Sequence, residues 1–206
     1  MKPEIPVVLP HRGPALHERR EQIIRAALDH FRHYGYSKTS VADLAKAIGV
    51  SSAYVYKFFE SKQAIGEAVC MHSLGQIDDA LREIVHTNQS ASDKLKELFS
   101  SLLSKSLALF FEERRLHDIA AVAATNHWSS ANNHRAALYS MLKQIIVEGR
   151  EKGEFESDTP LDEVCMAIAG VMTPFSHPLM LEEKTPEQLE ERVLVITNLV
   201  LRSLAK

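Results

Sequence analysis

Apolar residues recur at three- and four-residue spacing along almost the whole chain, and alternating apolar–polar segments are few. Over residues 16–34 the stripe is Ile23, Ile24, Ala27, Leu28 and Phe31, one face of an amphipathic helix. Gly35 in "YGY" predicts a left-handed end to that helix. Ser40, with Asp43 three residues later, has the spacing of an N-cap and its capping-box partner. Further helical periods run over about 62–87, 92–110, 113–129, 132–151, 160–173 and 186–204. The last opens with "TPEQ", where Thr185 caps, Pro186 fits the first turn and Gln188 answers the cap. No Asn-Gly or Asp-Gly hairpin turn occurs. The expected fold is all-α, with about nine helices, three short ones before longer ones.

Residues 41–60 carry a more specific pattern. Leu44, Ala45, Ile48, Val50, Val55 and Phe58 or Phe59 are apolar, with Gly49 between the two halves. Two helices crossing steeply through a tight turn need a small residue at the crossing, here Ala45. They also need a glycine able to take a positive φ, here Gly49. Such a helix-turn-helix lays its first helix across a DNA backbone and its second in the major groove. Once the core is assigned, Ser51, Ser52, Ala53, Tyr54, Tyr56 and Lys57 remain exposed on the second helix. Their hydroxyls and ammonium suit phosphates and base edges, while Ala53 permits close approach. Lys62 adds a charge at the next helix start, where free N–H groups favour a phosphate, and Thr39 has a similar place before the preceding helix.

The stretch "ALDHFRHYGYSKTSVADLAKAIGVSSAYVYKFFESKQAIGEAV", 27–69, resembles the TetR family of transcriptional repressors. The shared features are an apolar helix ending in Phe, a Gly-aromatic pair, Thr-Ser, an Ala-containing helix, Gly-Val-Ser, Tyr-x-x-Phe and Ser-Lys. The position two before Val55, often Gly in that family, is Ala53 here, and the added methyl bears on which base pairs are tolerated. The proline-rich start, 1–14, reads as a flexible arm, and the resemblance implies a helix-turn-helix DNA-binding domain over 15–61 and an effector-binding and dimerisation domain over 62–206. It places Thr39, Ser51, Ala53, Tyr54, Tyr56, Lys57 and Lys62 against DNA, with Val50, Val55 and Phe59 as core. It further implies a homodimer on a palindromic operator, repression as the mode, and release by an effector.

The rest of the chain bears on the dimer and the effector separately. "VLVITNLVL", 193–201, is apolar nearly all round, so its helix must be covered on two sides. Its neighbour carries Leu161, Val164, Cys165, Ile168, Val171 and Met172, and two such helix pairs would close a four-helix bundle between subunits. Leu161, Ile168, Val193, Ile196 and Val200 are the expected interface residues. Between head and tail, 114–142 is rich in alanine, leaving room for a small apolar or aromatic effector. Phe110, Phe111, His117, Trp128, Tyr139, Met141, Met172 and Phe175 are the larger groups expected to line it. "TPFSHP", 173–178, breaks the helix at Pro174 and Pro178 and reads as a flap at the pocket mouth.

Composition narrows the function classes. Residues 1–60 hold nine Lys/Arg against six Asp/Glu, whereas the remainder holds fifteen against twenty-one, a basic head on an acidic body. That asymmetry suits a head that meets a polyanion. Cys70 and Cys165, each in an apolar helical context, read as buried small residues of a reducing compartment. The prolines near the start argue against a secretory signal and no apolar run is long enough to span a bilayer, so a cytoplasmic location and no membrane contact are expected. His117, His127 and His134 are the densest histidines, but their spacing offers no compact pair, so neither a metal nor a cofactor is expected. Phosphate loops, nucleophile elbows and zinc-protease motifs are all lacking, and His117 and Asp118 point about 100° apart on a helix, so an enzyme is not expected. The competing reading is a DNA-associated interaction protein that works through protein partners with a filled body and no small-molecule switch.

Overall fold

The computed structural model describes residues 12–206, and the side chains of 12–15, Phe111 and Glu112 are outside that description. The helices are α1 (Arg12–Tyr34), α2 (Val41–Ala47), α3 (Ser52–Val55), α4 (Lys62–Val85), α5 (Ala91–Glu112), α6 (Arg114–Thr125), α7 (Ser129–Glu151), α8 (Leu161–Met172), α9 (Pro178–Leu181) and α10 (Pro186–Leu204). A 3-10 turn, Thr173–Phe175, joins α8 to α9. The fold is all-α, and no strand occurs among the described residues. Two sequence boundaries move. Most of the expected arm, 1–11, lies outside the described residues, but 12–14 already belong to α1. The extra helix is α9, which opens at Pro178, the last residue of the segment expected to be broken by proline. The α-helix α8 ends at Met172, before Pro174, as expected, and Pro174 and Pro178 each sit in the first turn of the short element that follows, where a missing N–H costs nothing.

Local chemistry sets the ends. Ser40 accepts from the Asp43 N–H while Asp43 accepts from the Ser40 N–H, a closed capping box on α2. Thr185 and Gln188 form the same device on α10. Gly35 and Gly49 take φ of 84° and 70°, the left-handed turns that end α1 and link α2 to α3. At the start of α5, Ser90 caps, and Glu154 accepts from the N–H groups of Ala91 and Ser92 at 3.0 and 3.1 Å.

Two apolar clusters organise the chain. One joins α1, α2 and α3 to the first half of α4, and it extends through Leu116, Ile119, Ala120 and Ala123 of α6 to Trp128 and Ala131. The other fills the space among α4, α5, α7, α8 and α10. The head therefore has no private core, because α6 closes its underside. In the second cluster Lys94 is buried, its Nζ donating to Val85 O at 2.8 Å and to both Glu148 oxygens at 2.9 and 2.7 Å. Hydrogen bonds from Lys152 and Lys94 hold the Glu148 carboxyl below the usual range. A cation so placed is tolerated because its donors find a carbonyl and a carboxylate.

The α8 and α10 helices are each amphipathic on two sides. Val164, Cys165, Ile168 and Met172 of α8 face the core, as do Leu189, Val193, Thr197, Val200 and Leu204 of α10. Ile168, Val193 and Val200, expected at a subunit interface, are thus buried within their own chain, and Leu161 and Ile196 are half-buried against it. A helix offers its inward stripe to the nearest core first, and here that core is built with α5 and α7. The apolar groups left outside are Met166 (66% exposed), Val171, Leu194 (62%), Val195 (61%) and Leu199 (59%).

Among the described residues no helix is long and apolar enough to cross a membrane, and no group of three His, Cys, Asp or Glu is placed to hold a metal. Both cysteines are buried and free, and burial pushes the Cys70 thiol up to about 11.

Candidate functional site

The first site is the outer face of α3. This helix is one turn long, so its neighbours must aim it. Val55, fully buried, and Phe59 pin it to the head core, and Ser51 caps it by accepting from the Tyr54 N–H at 3.2 Å. Ser51, Ala53, Tyr56 and Lys57 are then exposed, with Tyr56 at 51%, while Ser52 and Tyr54 are half-buried. Tyr54 tilts against Phe58 at 5.3 Å between ring centres, with Lys57 Nζ 6.0 Å from its ring. Arg20 of α1 lies over the Phe59 ring at 4.8 Å, bringing a further cation beside the head core.

Two expected DNA contacts differ from the free donors that the sequence suggested. Thr39 is buried, and its hydroxyl donates to Gly35 O at 2.9 Å, so its side chain fastens the turn after α1. Lys62 folds back, with Nζ 4.4 Å from the Tyr36 ring centre and 3.5 Å from Ser37 O, and burial lowers its pKa. Both residues are locally satisfied because the α1–α2 connection packs on the start of α4, a contact that spacing along the chain does not reveal.

The second site is a cavity of about 290 Å³ between α4, α5, α6, α7, α8 and the 3-10 turn to α9. Its walls are mostly aliphatic, from residues such as Ile77, Leu98, Leu102, Leu138, Leu142 and Ala169. Of the expected lining, His117, Tyr139 and Met172 are present, and the side chain of Phe111 lies outside the described residues. Phe110, Trp128, Met141 and Phe175 are buried elsewhere. Phe110 lies behind His117, ring to ring at 4.6 Å. Trp128 meets Tyr36 edge-on at 5.7 Å, joining the body to the head. Met141 and Phe175 fill the body core. The sequence missed the α5 wall, Leu98, Phe99, Leu102 and Ser106, whose apolar stripe looks the same whether it faces a neighbour or a void. The alanines Ala120 and Ala124 do line the space, as their small size suggested.

The polar groups of the cavity wall are three histidines with Arg135, Tyr139, Ser106, Thr173 and Ser176. His117 is 1% exposed; its Nε2 lies 3.4 Å from Glu182 Oε1 but out of line for a hydrogen bond, and burial is the main cause lowering its pKa. His134 Nδ1–H donates to Asp78 Oδ1 at 2.6 Å. His177 Nδ1 is buried without a hydrogen-bond partner among the described residues. Arg114 also reaches Glu182 Oε1, at 3.5 Å, so one carboxylate of the segment after α9 holds two residues of α6. One residue before Arg114, Glu113 accepts from Arg32 Nε of the head at 2.7 Å.

The comparisons with known proteins point the same way. Residues 23–69 match the family model described as bacterial regulatory proteins, tetR family. Residues 91–196 match the one described as tetracyclin repressor-like, C-terminal domain. The fatty acid metabolism regulator protein of Bacillus subtilis (strain 168) is 26% identical over 142 residues, 66% of this chain and 70% of that protein. A transcriptional regulator FadR from Bacillus subtilis, solved in complex with stearoyl-CoA, superposes with a TM-score of 0.65 at 21% identity, covering 89% of this chain and 98% of that one. Thermus thermophilus FadR, a transcriptional repressor solved in complex with lauroyl-CoA, gives 0.66 at 23% identity, covering 91% and 96%.

Proposed function

This chain belongs to the tetR family of bacterial regulatory proteins, and we propose that it acts in the cytoplasm as a homodimeric repressor that a small apolar effector releases from a palindromic operator. It is a ligand-responsive, DNA-binding transcriptional regulator. The observation that carries the effector reading is the position of α6. One side of α6, with Leu116, Ile119 and Ala123, belongs to the core that holds α1 and α4; the other, with His117 and Ala124, lines the cavity. A ligand that favours a different position of α6 thereby favours a different position of the head.

On this reading Ser51, Ala53, Tyr54, Tyr56 and Lys57 meet DNA, with Tyr56 and Lys57 as the most exposed donors. Thr39 and Lys62 position the head and contribute backbone and charge near the phosphates. Met166, Val171, Leu194, Val195 and Leu199 pack against the same residues of a second copy, giving a two-fold axis. The two recognition helices then enter successive major grooves about 34 Å apart. Effector binding lowers operator affinity by the coupling free energy, ~1–3 kcal/mol. The cavity supports this over a body that works through protein partners alone, since a filled core would leave no such space. The solved relatives with stearoyl-CoA and lauroyl-CoA support an effector with an aliphatic portion.

The test is selection of bound fragments from genomic DNA, run beside a Tyr56→Ala/Lys57→Ala variant. The wild type enriches one palindromic site and the variant does not. Lys57→Ala alone weakens binding and flattens the salt dependence by about 0.9 in log–log slope for each phosphate it no longer neutralises. Failure of the wild type to enrich any site at low salt sinks the reading.

A further inference from the structure

The cavity wall combines a mainly aliphatic lining with a set of nitrogen-bearing side chains, and that combination selects a ligand class. Aliphatic groups from α4, α5 and α7 make up most of the wall, while His134 and Arg135 of α7, His117 of α6 and His177 before α9 supply the nitrogen donors. No Asp or Glu is among the described lining residues. One of these imidazoles, His177, has a buried nitrogen, Nδ1, with no hydrogen-bond partner among the described residues, whereas His117 Nε2 already faces Glu182 Oε1 at 3.4 Å. Buried polar atoms are seldom left so, and a ligand head group is a ready way to satisfy them.

His134 adds direction. Its Nδ1 is committed to Asp78 at 2.6 Å, and both side chains are mostly buried, so the ring is fixed and its Nε2 edge is the one left to a ligand. Arg135, exposed and lining the same space, brings a guanidinium that is always charged.

Resting on the effector reading above, we propose that the ligand is an aliphatic amphiphile with an anionic head, its chain among Leu98, Leu102 and Leu142 and its head on His134 and Arg135. A volume of about 290 Å³, at the ~30 Å³ that a water-sized group occupies, has room for a chain of about ten carbons. A charge-assisted bond from the Arg135 guanidinium, with the fixed His134 ring lining the same space, distinguishes such a head from a neutral hydroxyl of equal chain length. Asp78 is a positioning residue: it orients His134 and does not touch the ligand.

The experiment is calorimetric titration of the full chain with decanoate, decanoyl-CoA and 1-decanol, repeated on His134→Leu and Asp78→Asn. Decanoate or decanoyl-CoA binds at least tenfold more tightly than decanol, and the more tightly bound of the two shows whether the anion is a free acid or a coenzyme ester. His134→Leu lowers affinity for the acid or ester by a larger factor than affinity for decanol; Asp78→Asn, which keeps the shape of the site, reduces the preference partway. Equal affinity of wild type for acid, ester and alcohol overturns the anionic-head assignment and leaves the effector cavity standing. Loss of all three ligands equally in both variants also overturns it. Binding of none of them to the wild type removes the assignment and the aliphatic-effector reading together.

Discussion

Arg32 Nε of α1 donates to Glu113 Oε2 at 2.7 Å, linking the head to the α5–α6 junction across 81 residues of sequence. Both side chains are substantially exposed, 47% and 31%, so the pair contributes less than about 1 kcal/mol to stability. Its interest lies in what adjoins it. Arg114 follows Glu113 directly, and with His117 it meets Glu182 just after α9. The result is a short run of charged contacts from the flap to α1, and a run of contacts becomes coupling only if both ends bias it.

Arg32→Ala should therefore leave the melting temperature nearly unchanged and alter the ratio of operator affinities with and without saturating decanoate. Fluorescence anisotropy on the selected operator measures that ratio. An unchanged ratio means that this ion pair does not transmit occupancy.

The exposed face of α8 and α10 makes a second prediction. Leu194→Glu combined with Leu199→Glu places two carboxylates where apolar groups are left uncovered, without touching Val193 or Val200 inside the chain. Sedimentation should show a dimer for the wild type and a monomer for the variant, with helical circular dichroism retained. Operator binding should fall by orders of magnitude, because one head alone reads half a site.

Gly149 tests the core of the body. A Cβ built there overlaps the ring of Phe155, which is 1% exposed, and comes within 2.9 Å of the Ala91 Cβ. Helix propensity favours alanine by ~1 kcal/mol, whereas overpacking a closed site costs ~1–3 kcal/mol. Because the obstructing ring is fully enclosed, the second effect wins. Gly149→Ala should unfold at lower denaturant concentration in chemical melts.

His117 gives a pH dependence with a definite sign. Burial holds its pKa below the ordinary imidazole value, so the unfolded chain binds a proton that the folded chain resists. The stability tied to a neutral His117 is complete above about pH 6.5 and is lost as pH falls toward the folded value. His117→Gln should weaken the acid-side decline of the melting temperature between about pH 7 and pH 5. A variant curve parallel to that of the wild type would assign the decline to other groups.

The helices, their caps and the helix-turn-helix were legible because each depends on residues within a few positions of one another. Ser40 with Asp43, Thr185 with Gln188 and the positive φ of Gly49 are local facts of the backbone, and spacing alone encodes them. Inside "TPFSHP" the same local rules placed the end of α8, which stops at Met172, and what they did not show was the short helix α9 that Pro178 opens.

By itself, then, the sequence determined an all-α chain with a DNA-reading head and two terminal helices apolar on more than one side. Tertiary structure alone decided which apolar side faces inward. Val193 and Val200 turn to the core while Leu194 and Leu199 turn out, although all four look alike in a helical period. It also decided that Trp128 joins head to body while the α5 wall lines the cavity, and that His134 is held by Asp78 across 56 residues. The reason is physical: burial of an apolar stripe is non-directional and rewards any partner, so periodicity fixes that a face is buried but not against what.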